Sequence, residues 1–319
     1  MGTEKSLCPF CISCIDKEAS TAFCCSFIWN IRRWLVIVKK NMKKHFVIIA
    51  IVLTIVLLMC LMAYQISTYV QASKLCDFIQ HGDTEKALSM ISHMKNVNQY
   101  SSPLFTRILF NIVSRDIELP LVEACRAGNY DIVIALLEKG ADPNRYLDGG
   151  WSPIEAAFIK PNAYRVDIAQ ALLQYGADVD LCGSGNTALF NELRSVIYSD
   201  FITDAELQVI QQAVELLLDH GAFPFDDKGN SIIHYLSYAQ SEDLLSNIVN
   251  KYGYEIDPKS NVGKTPLMWA IEGESIENVR FLLNAGADCK AVDNSGKTIM
   301  DYAFEKNNHA VIDMLKYKE

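Results

Sequence analysis

Residues 119–144 read LPLVEACRAGNYDIVIALLEKGADPN, and residues 265–290 read TPLMWAIEGESIENVRFLLNAGADCK. The two stretches share one physical plan. Thr265, or Ser152 in a related stretch, can cap a helix, and Pro266 or Pro153 suits its first turn. A short helix follows, with small residues such as Ala124 and Ala157 that permit close helix packing. Gly128 turns the chain. A second helix presents Ile132, Val133, Leu136 and Leu137 on one face. Gly140 is placed to end that helix in the left-handed conformation, and Ala141-Asp142 leads into a loop.

The plan recurs along the chain. The second residue of each helix opening falls at Pro120, Pro153, Ala188, Ile232, Pro266 and Ile299, at intervals of 33, 35, 44, 34 and 33 residues. The glycine closing each unit gives a parallel series, Gly140, Gly176, Gly221, Gly253 and Gly286. A fixed period of this length signals units that bury their apolar faces only against neighbours.

With these openings and endings, residues 75–319 resemble the ankyrin-repeat family, whose unit is about 33 residues. The resemblance implies an all-α solenoid of six or seven units. Residues 75–98 read as a degenerate first unit, with Gly82 and a helix through Ala87, Met90 and Ile91. Residues 99–118 are ambiguous, although Ser102-Pro103-Leu104-Phe105 resembles an opening. An insertion near residues 195–207 predicts a projecting loop or longer helices in the unit opening at Thr187. The unit opening at Ser231 is loose, with Lys251-Tyr-Gly-Tyr-Glu at its end, and the last unit closes on a polar cap at residues 316–319.

Outward from the repeats, the composition changes. Residues 1–64 hold 8 Lys+Arg against 3 Asp+Glu, a charge of +5; residues 65–319 hold 21 against 35, a charge of −14. An acidic body repels phosphates, which argues against a nucleic-acid partner. Phe46–Tyr64 reads FVIIAIVLTIVLLMCLMAY, 19 residues without a charge. As a helix it would span roughly 28 Å, near the ~30 Å hydrocarbon core. A single transmembrane helix is therefore expected over residues 45–66. Arg32, Arg33, Lys39, Lys40, Lys43 and Lys44 precede it, and Lys74 alone follows at similar distance. That asymmetry predicts a cytoplasmic N-terminus and an extracytoplasmic repeat domain. A second reading starts the protein at Met42, with a bacterial-type signal sequence cleaved near Val70-Gln71-Ala72. The apolar run is long for a signal peptide, so an uncleaved anchor is the preferred expectation, in a membrane-anchored member of the family of which a bacterial source is one reading.

Residues 1–41 form a basic, cysteine-rich head, expected to be poorly ordered or to skim the membrane. Cys8, Cys11 and Cys14 have the spacing of zinc thiolates, with Cys24 as a fourth candidate; the adjacency of Cys24 and Cys25 is poor ligand geometry. The expectation is no bound metal. Met1-Gly2 with Ser6 fits the loose myristoylation pattern. The four body cysteines, Cys76, Cys125, Cys182 and Cys289, are too dispersed for a disulfide framework.

No catalytic constellation is legible. Gly263-Lys264-Thr265 and Gly296-Lys297-Thr298 resemble phosphate-loop endings, but the position that needs a first glycine holds Pro258 or Ala291. The chain is expected to be no enzyme and to take no cofactor. His234 occupies the helix-opening position where the family carries a structural histidine. The resemblance implies partner binding through loop tips and the concave face of the first helices. The residue after the histidine position faces that surface: Glu123, Ala156, Asn191, Tyr235, Trp269 and Tyr302. Tyr235, Trp269 and Tyr302 form an aromatic strip, and Trp151 sits at a loop tip; each is a candidate anchor for another protein or a filler between units. Three functions follow: a membrane-tethered protein-interaction module, an immunity or inhibitor protein against a toxin or enzyme, and a zinc- or redox-responsive sensor using the N-terminal cysteines.

Overall fold

The computed structural model describes residues 42–94, 97–98, 119–147, 149–159, 162–198 and 202–317. The cysteine-rich head and the opening-like Ser102–Phe105 lie outside the described residues. Two units are distinct, residues 1–67 and residues 68–319.

Fourteen helices occur among the described residues: α1 Met42–Gln80, α2 Thr84–His93, α3 Pro120–Ala127, α4 Tyr130–Glu138, α5 Pro153–Ala157, α6 Arg165–Gln174, α7 Ala188–Tyr198, α8 Asp204–Asp219, α9 Ile232–Tyr238, α10 Glu242–Tyr252, α11 Pro266–Glu272, α12 Ile276–Asn284, α13 Ile299–Glu305 and α14 His309–Lys316. Strand pairing among them is confined to two isolated bridges, Phe225 with Ser231 and Val292 with Thr298.

In the first unit, α1 from residue 48 to residue 64 carries large apolar side chains, among them Leu57, Leu58, Met59 and Leu61, that are exposed. Among the described residues no helix is long and apolar enough to cross a membrane. Side chains of the apolar run are described only for residues 48–64, short of its full length in the sequence. Residues 46–64 are helical within α1, and the structure does not show them as a membrane span.

The second unit is a stack of helix pairs. The end of α1 supplies the first inner helix, burying Ala72, Leu75 and Ile79 against Ala87 and Ile91 of α2. Gly82, at φ 74°, makes the turn between them. The expected degenerate first unit is thus a complete helix pair. The same arrangement repeats in α3–α4, α5–α6, α7–α8, α9–α10, α11–α12 and α13–α14. Ile132, Val133, Leu136 and Leu137 of α4 are buried as the spacing predicts, and so are Val279, Leu282 and Leu283 of α12. One apolar cluster runs from Ala72 to Leu315. Each unit buries its face only against its neighbours, so the seam is continuous.

The insertion near residues 195–207 takes the form of longer helices. α7 has 11 residues and α8 has 16. A buried ion cluster fixes them to the preceding unit. Arg165 donates from Nε to Glu192 at 3.0 Å and from Nη2 to Glu206 at 2.5 Å. Its Nη1 donates to the Asn162 carbonyl at 3.2 Å. Burial pushes the Glu192 carboxyl up to about 7, against the pull of Arg165. The unit opening at Ser231 is regular despite its loose sequence: α10 ends on Gly253 in the left-handed conformation, φ 67°.

Candidate partner-binding surface

The third residue of each inner helix decides how consecutive units are tied. In α9 it is His234, fully buried. The Ser231 backbone N–H donates to Nδ1 at 3.0 Å, so the ring hydrogen sits on Nε2, which donates to the Lys264 carbonyl of the next unit at 3.0 Å. Burial lowers the His234 pKa and keeps the ring neutral. Its structural role is as expected. In α5 the same place holds Glu155. Its carboxylate accepts from Ser152 N at 2.6 Å, and from Gly183 N at 2.8 Å and Ser184 Oγ at 2.8 Å in the next loop. In α11 the place falls to Met268, whose thioether is a weak acceptor for Thr265 N at 3.5 Å. The buried Thr265 hydroxyl has no partner among the described residues.

The next residue of each inner helix was the expected aromatic strip, and the structure brings it together as a packed row. Phe190, one column away, meets Tyr235 at 5.2 Å between ring centroids, and Tyr235 meets Trp269 at 5.3 Å. Trp269 also contacts the edges of His234 and Tyr238. Tyr235 is only 9% exposed and Tyr302 only 3%. Their hydroxyls donate to Asp226 at 2.8 Å and Asp293 at 2.7 Å. Each tyrosine thereby ties its helix to the loop just before it. The exposed-anchor expectation fails for these two rings because they fill the groove between units. Trp269 is half-buried, as is Trp151, which packs on the core. Glu123, at the head of the column, is buried and paired with Arg126 at 2.8 Å.

The loops leave more to solvent. Their tips are joined by backbone bonds from unit to unit: Asn261 N donates to the Lys228 carbonyl at 3.0 Å, and Asn294 N to the Val262 carbonyl at 3.1 Å. Gly263 is required here. It sits at φ +78°, and a Cβ would lie 2.8 Å from the Asn294 backbone nitrogen.

Closer to the outer helices, two polar columns run through the loops. In the first, Asp142, Asp178 and Asp288 accept from the backbone two residues on, at 2.9, 3.0 and 2.9 Å. In the second, a side chain accepts the next unit's backbone N–H. Asn98 accepts from Asp142 at 2.7 Å, Asn144 from Asp178 at 2.7 Å, Asp180 from Phe223 at 3.0 Å and Asp257 from Asp288 at 2.8 Å. One unit departs in both columns. Phe223 stands in the first and Phe225 in the second, 60% and 39% exposed, with ring centroids 5.7 Å apart. Sequence reasoning passed over this pair. Its signal was available: residues 221–225 read GAFPF, where three other units read Gly-Ala-Asp.

Among the described residues no group of His, Cys, Asp and Glu is arranged to hold a metal ion. The candidate ligands Cys8, Cys11, Cys14 and Cys24 lie outside those residues.

Comparison with known proteins agrees with this architecture. The family profile for ankyrin repeats in three copies matches residues 79–181 and 237–319. A putative ankyrin repeat protein of Fowlpox virus, FPV022, is 23% identical over 192 residues, covering 46% of this chain and 33% of that protein. This chain therefore spans about a third of that relative's length. Among solved structures, the human ASB11 ankyrin repeat domain aligns with a TM-score of 0.58 at 20% identity, covering 77% of this chain and 97% of that one. A chain of the Bdellovibrio bacteriovorus complex of predatory endopeptidase Bd0816 with immunity protein Bd3460 aligns with a TM-score of 0.51 at 23% identity, covering 62% and 97%. Matched over more than half its length and built from stacked helix pairs joined by hydrogen-bonded loops, this chain belongs to the ankyrin-repeat family.

Proposed function

We propose that this chain is a membrane-tethered, non-catalytic protein-interaction module whose repeat array is the binding part. One observation carries the reading. The apolar faces of the helix pairs are consumed in the internal seam, while the loops keep one hydrogen-bonded geometry and vary in side chain from unit to unit. Such a surface can change its contacts without changing its fold, which suits recognition of another protein.

The tether rests on α1. Its exposed Leu57, Leu58, Met59 and Leu61 stand within a charge-free sequence run. Burying each such side chain in lipid is worth about 1.5–3 kcal/mol. The basic residues before residue 45 favour a cytoplasmic N-terminus and an extracytoplasmic array. Half-buried Trp151 and Trp269 remain candidate contacts at the edge of the inner-helix face. Two experiments test the proposal. The full chain should stay with membranes through alkaline carbonate extraction, and release into the supernatant would contradict the tether. A photo-crosslinking residue at a loop position of the array should yield protein adducts; adducts arising only from residues 1–41 would contradict the assignment of binding to the repeats.

A narrower reading is favoured by the charge of −14 on residues 65–319. An acidic array suits a basic target, as an inhibitor or immunity protein against a toxin or hydrolase would need. The solved neighbour that includes an immunity protein gives this reading a precedent in fold alone.

A further inference from the structure

We propose that Phe223 and Phe225 form the primary anchor of the interaction surface, and that it receives an extended basic segment carrying an aromatic or large aliphatic residue between Lys or Arg residues. This deepens the protein-binding reading above and rests on it.

The first argument is that the pair does nothing the fold needs. Elsewhere in the two loop columns, Asp142, Asp178 and Asp288 close turns, and Asn98, Asn144, Asp180 and Asp257 accept the next unit's N–H, at 2.7–3.0 Å. Phenylalanine can do neither. Phe225 offers no acceptor to Glu255, the residue one unit further along the ladder. Phe223 stands largely in water at 60% exposed and Phe225 partly so at 39%, with ring centroids 5.7 Å apart. Two forfeited hydrogen bonds forgo about 1–3 kcal/mol together, and the part of each ring left in water returns none of it. Two adjacent exposed aromatic rings on a rigid scaffold fit a contact that buries them.

The second argument is charge. Along the columns the apolar pair is bracketed on both sides by carboxylates. Asp178 and Asp180 precede it; Glu255, Asp257 and Asp288 follow. Asp180 is held against the pair directly, accepting the Phe223 N–H at 3.0 Å. Burial raises the pKa of Asp257, the hydrogen bond from the Asp288 N–H lowers it, and the charges of Asp288 and Glu255 raise it while that of Lys259 lowers it, so these charges share one field. Lys290 closes the far end of the second column. An apolar notch between acidic flanks complements an apolar residue between basic ones. The bonds from Asn98, Asn144, Asp180 and Asp257 to the next unit's backbone set the columns in a line, which suits an extended segment more than a folded patch.

The test is a display selection of random twelve-residue peptides against the full chain. Each enriched peptide is then measured against a Phe223→Asp/Phe225→Asn variant. That variant restores the residue types of the neighbouring units, and its melting temperature, expected equal or higher, shows that it folds. The expected result is peptides with one aromatic or aliphatic residue flanked by Lys or Arg. Their affinity should fall at least tenfold in the variant and weaken with added salt. Enrichment of acidic peptides overturns the proposal, as does binding unaffected by the variant; in the latter case the array still binds and the broader reading stands. Failure to enrich any peptide sinks both. Sedimentation of the full chain that shows self-association abolished in the variant assigns the pair to a second copy and also overturns the proposal.

Discussion

The loops closing α6 and α8 occupy the same place in successive units and follow opposite rules. After α6, Asp178 closes its turn onto Asp180, and Asp180 accepts the next unit's N–H. After α8, the matching residues are Phe223 and Phe225, with no polar atom to offer. Both loops leave their outer helix through a left-handed glycine, Gly176 after α6 and Gly221 after α8. The difference separates what a repeat requires from what it can spare. Positions in the ladder are useful to stability but not indispensable, so they can be given over to contact with something else.

Breaking a position of the first kind should cost most where polar atoms are buried. Asn278 is fully buried and donates from Nδ2 to the Leu236 and Ser237 carbonyls at 3.1 and 3.0 Å, and to that of Ala239. It satisfies the end of α9 from the neighbouring unit. Asn278→Leu should destabilise by about 3 kcal/mol, since the carbonyls are left buried without a donor; chemical denaturation would measure it. Gly263→Ala should cost about 2 kcal/mol by the same measurement, from the left-handed backbone and the close Asn294 nitrogen.

The buried histidine gives the pH dependence of the array. His234 has a folded pKa below its unfolded value of about 6.5, with burial as the main cause. The folded state binds this proton more weakly, so the contribution is fully present above pH 6.5 and is lost as pH falls below it. Melting curves between pH 7.5 and 5 should carry the His234 loss as a destabilising component, set against the raised Glu192 carboxyl, which stabilises the fold as pH falls over the same window. His234→Gln, which does not titrate, should lack that component. A smaller effect of opposite sign is expected at the equivalent place one unit on. Met268→His should gain about 1 kcal/mol, with the ring accepting from Thr265 N and donating to the Lys297 carbonyl, as His234 does with Ser231 and Lys264.

The helix pairs were legible because their residues report directly on packing. The Gly140, Gly176, Gly221, Gly253 and Gly286 series marks the turns after α4, α6, α8, α10 and α12, and Ile132, Val133, Leu136 and Leu137 point where their spacing says. The degenerate unit is written in Gly82 and the Ala87, Met90 and Ile91 spacing, but not that its first helix is the end of the long α1. The insertion left two forms open, and the Arg165–Glu192–Glu206 cluster that goes with the longer helices joins residues 41 apart, which no local pattern reveals. The aromatic strip was half legible. One residue per unit at the same register gives Tyr235, Trp269 and Tyr302, of which the rings of Tyr235 and Trp269 meet. Whether that row faces solvent depends on the Asp226 and Asp293 side chains that hold the tyrosine hydroxyls down, and those bonds follow from loop geometry. The exposed pair Phe223 and Phe225 was hidden because it lies between helices, where no helical register marks a position.

The most direct test compares melting temperatures of two double variants of the full chain. Phe223→Asp/Phe225→Asn should melt at the wild-type temperature or a few degrees above it. Asn144→Ala/Asp180→Ala, which removes two links of the same ladder, should melt several degrees below, at about 2–4 °C per kcal/mol. A drop for the phenylalanine variant as large as that for the ladder variant would mean the rings hold the fold together, and would contradict their assignment to a partner.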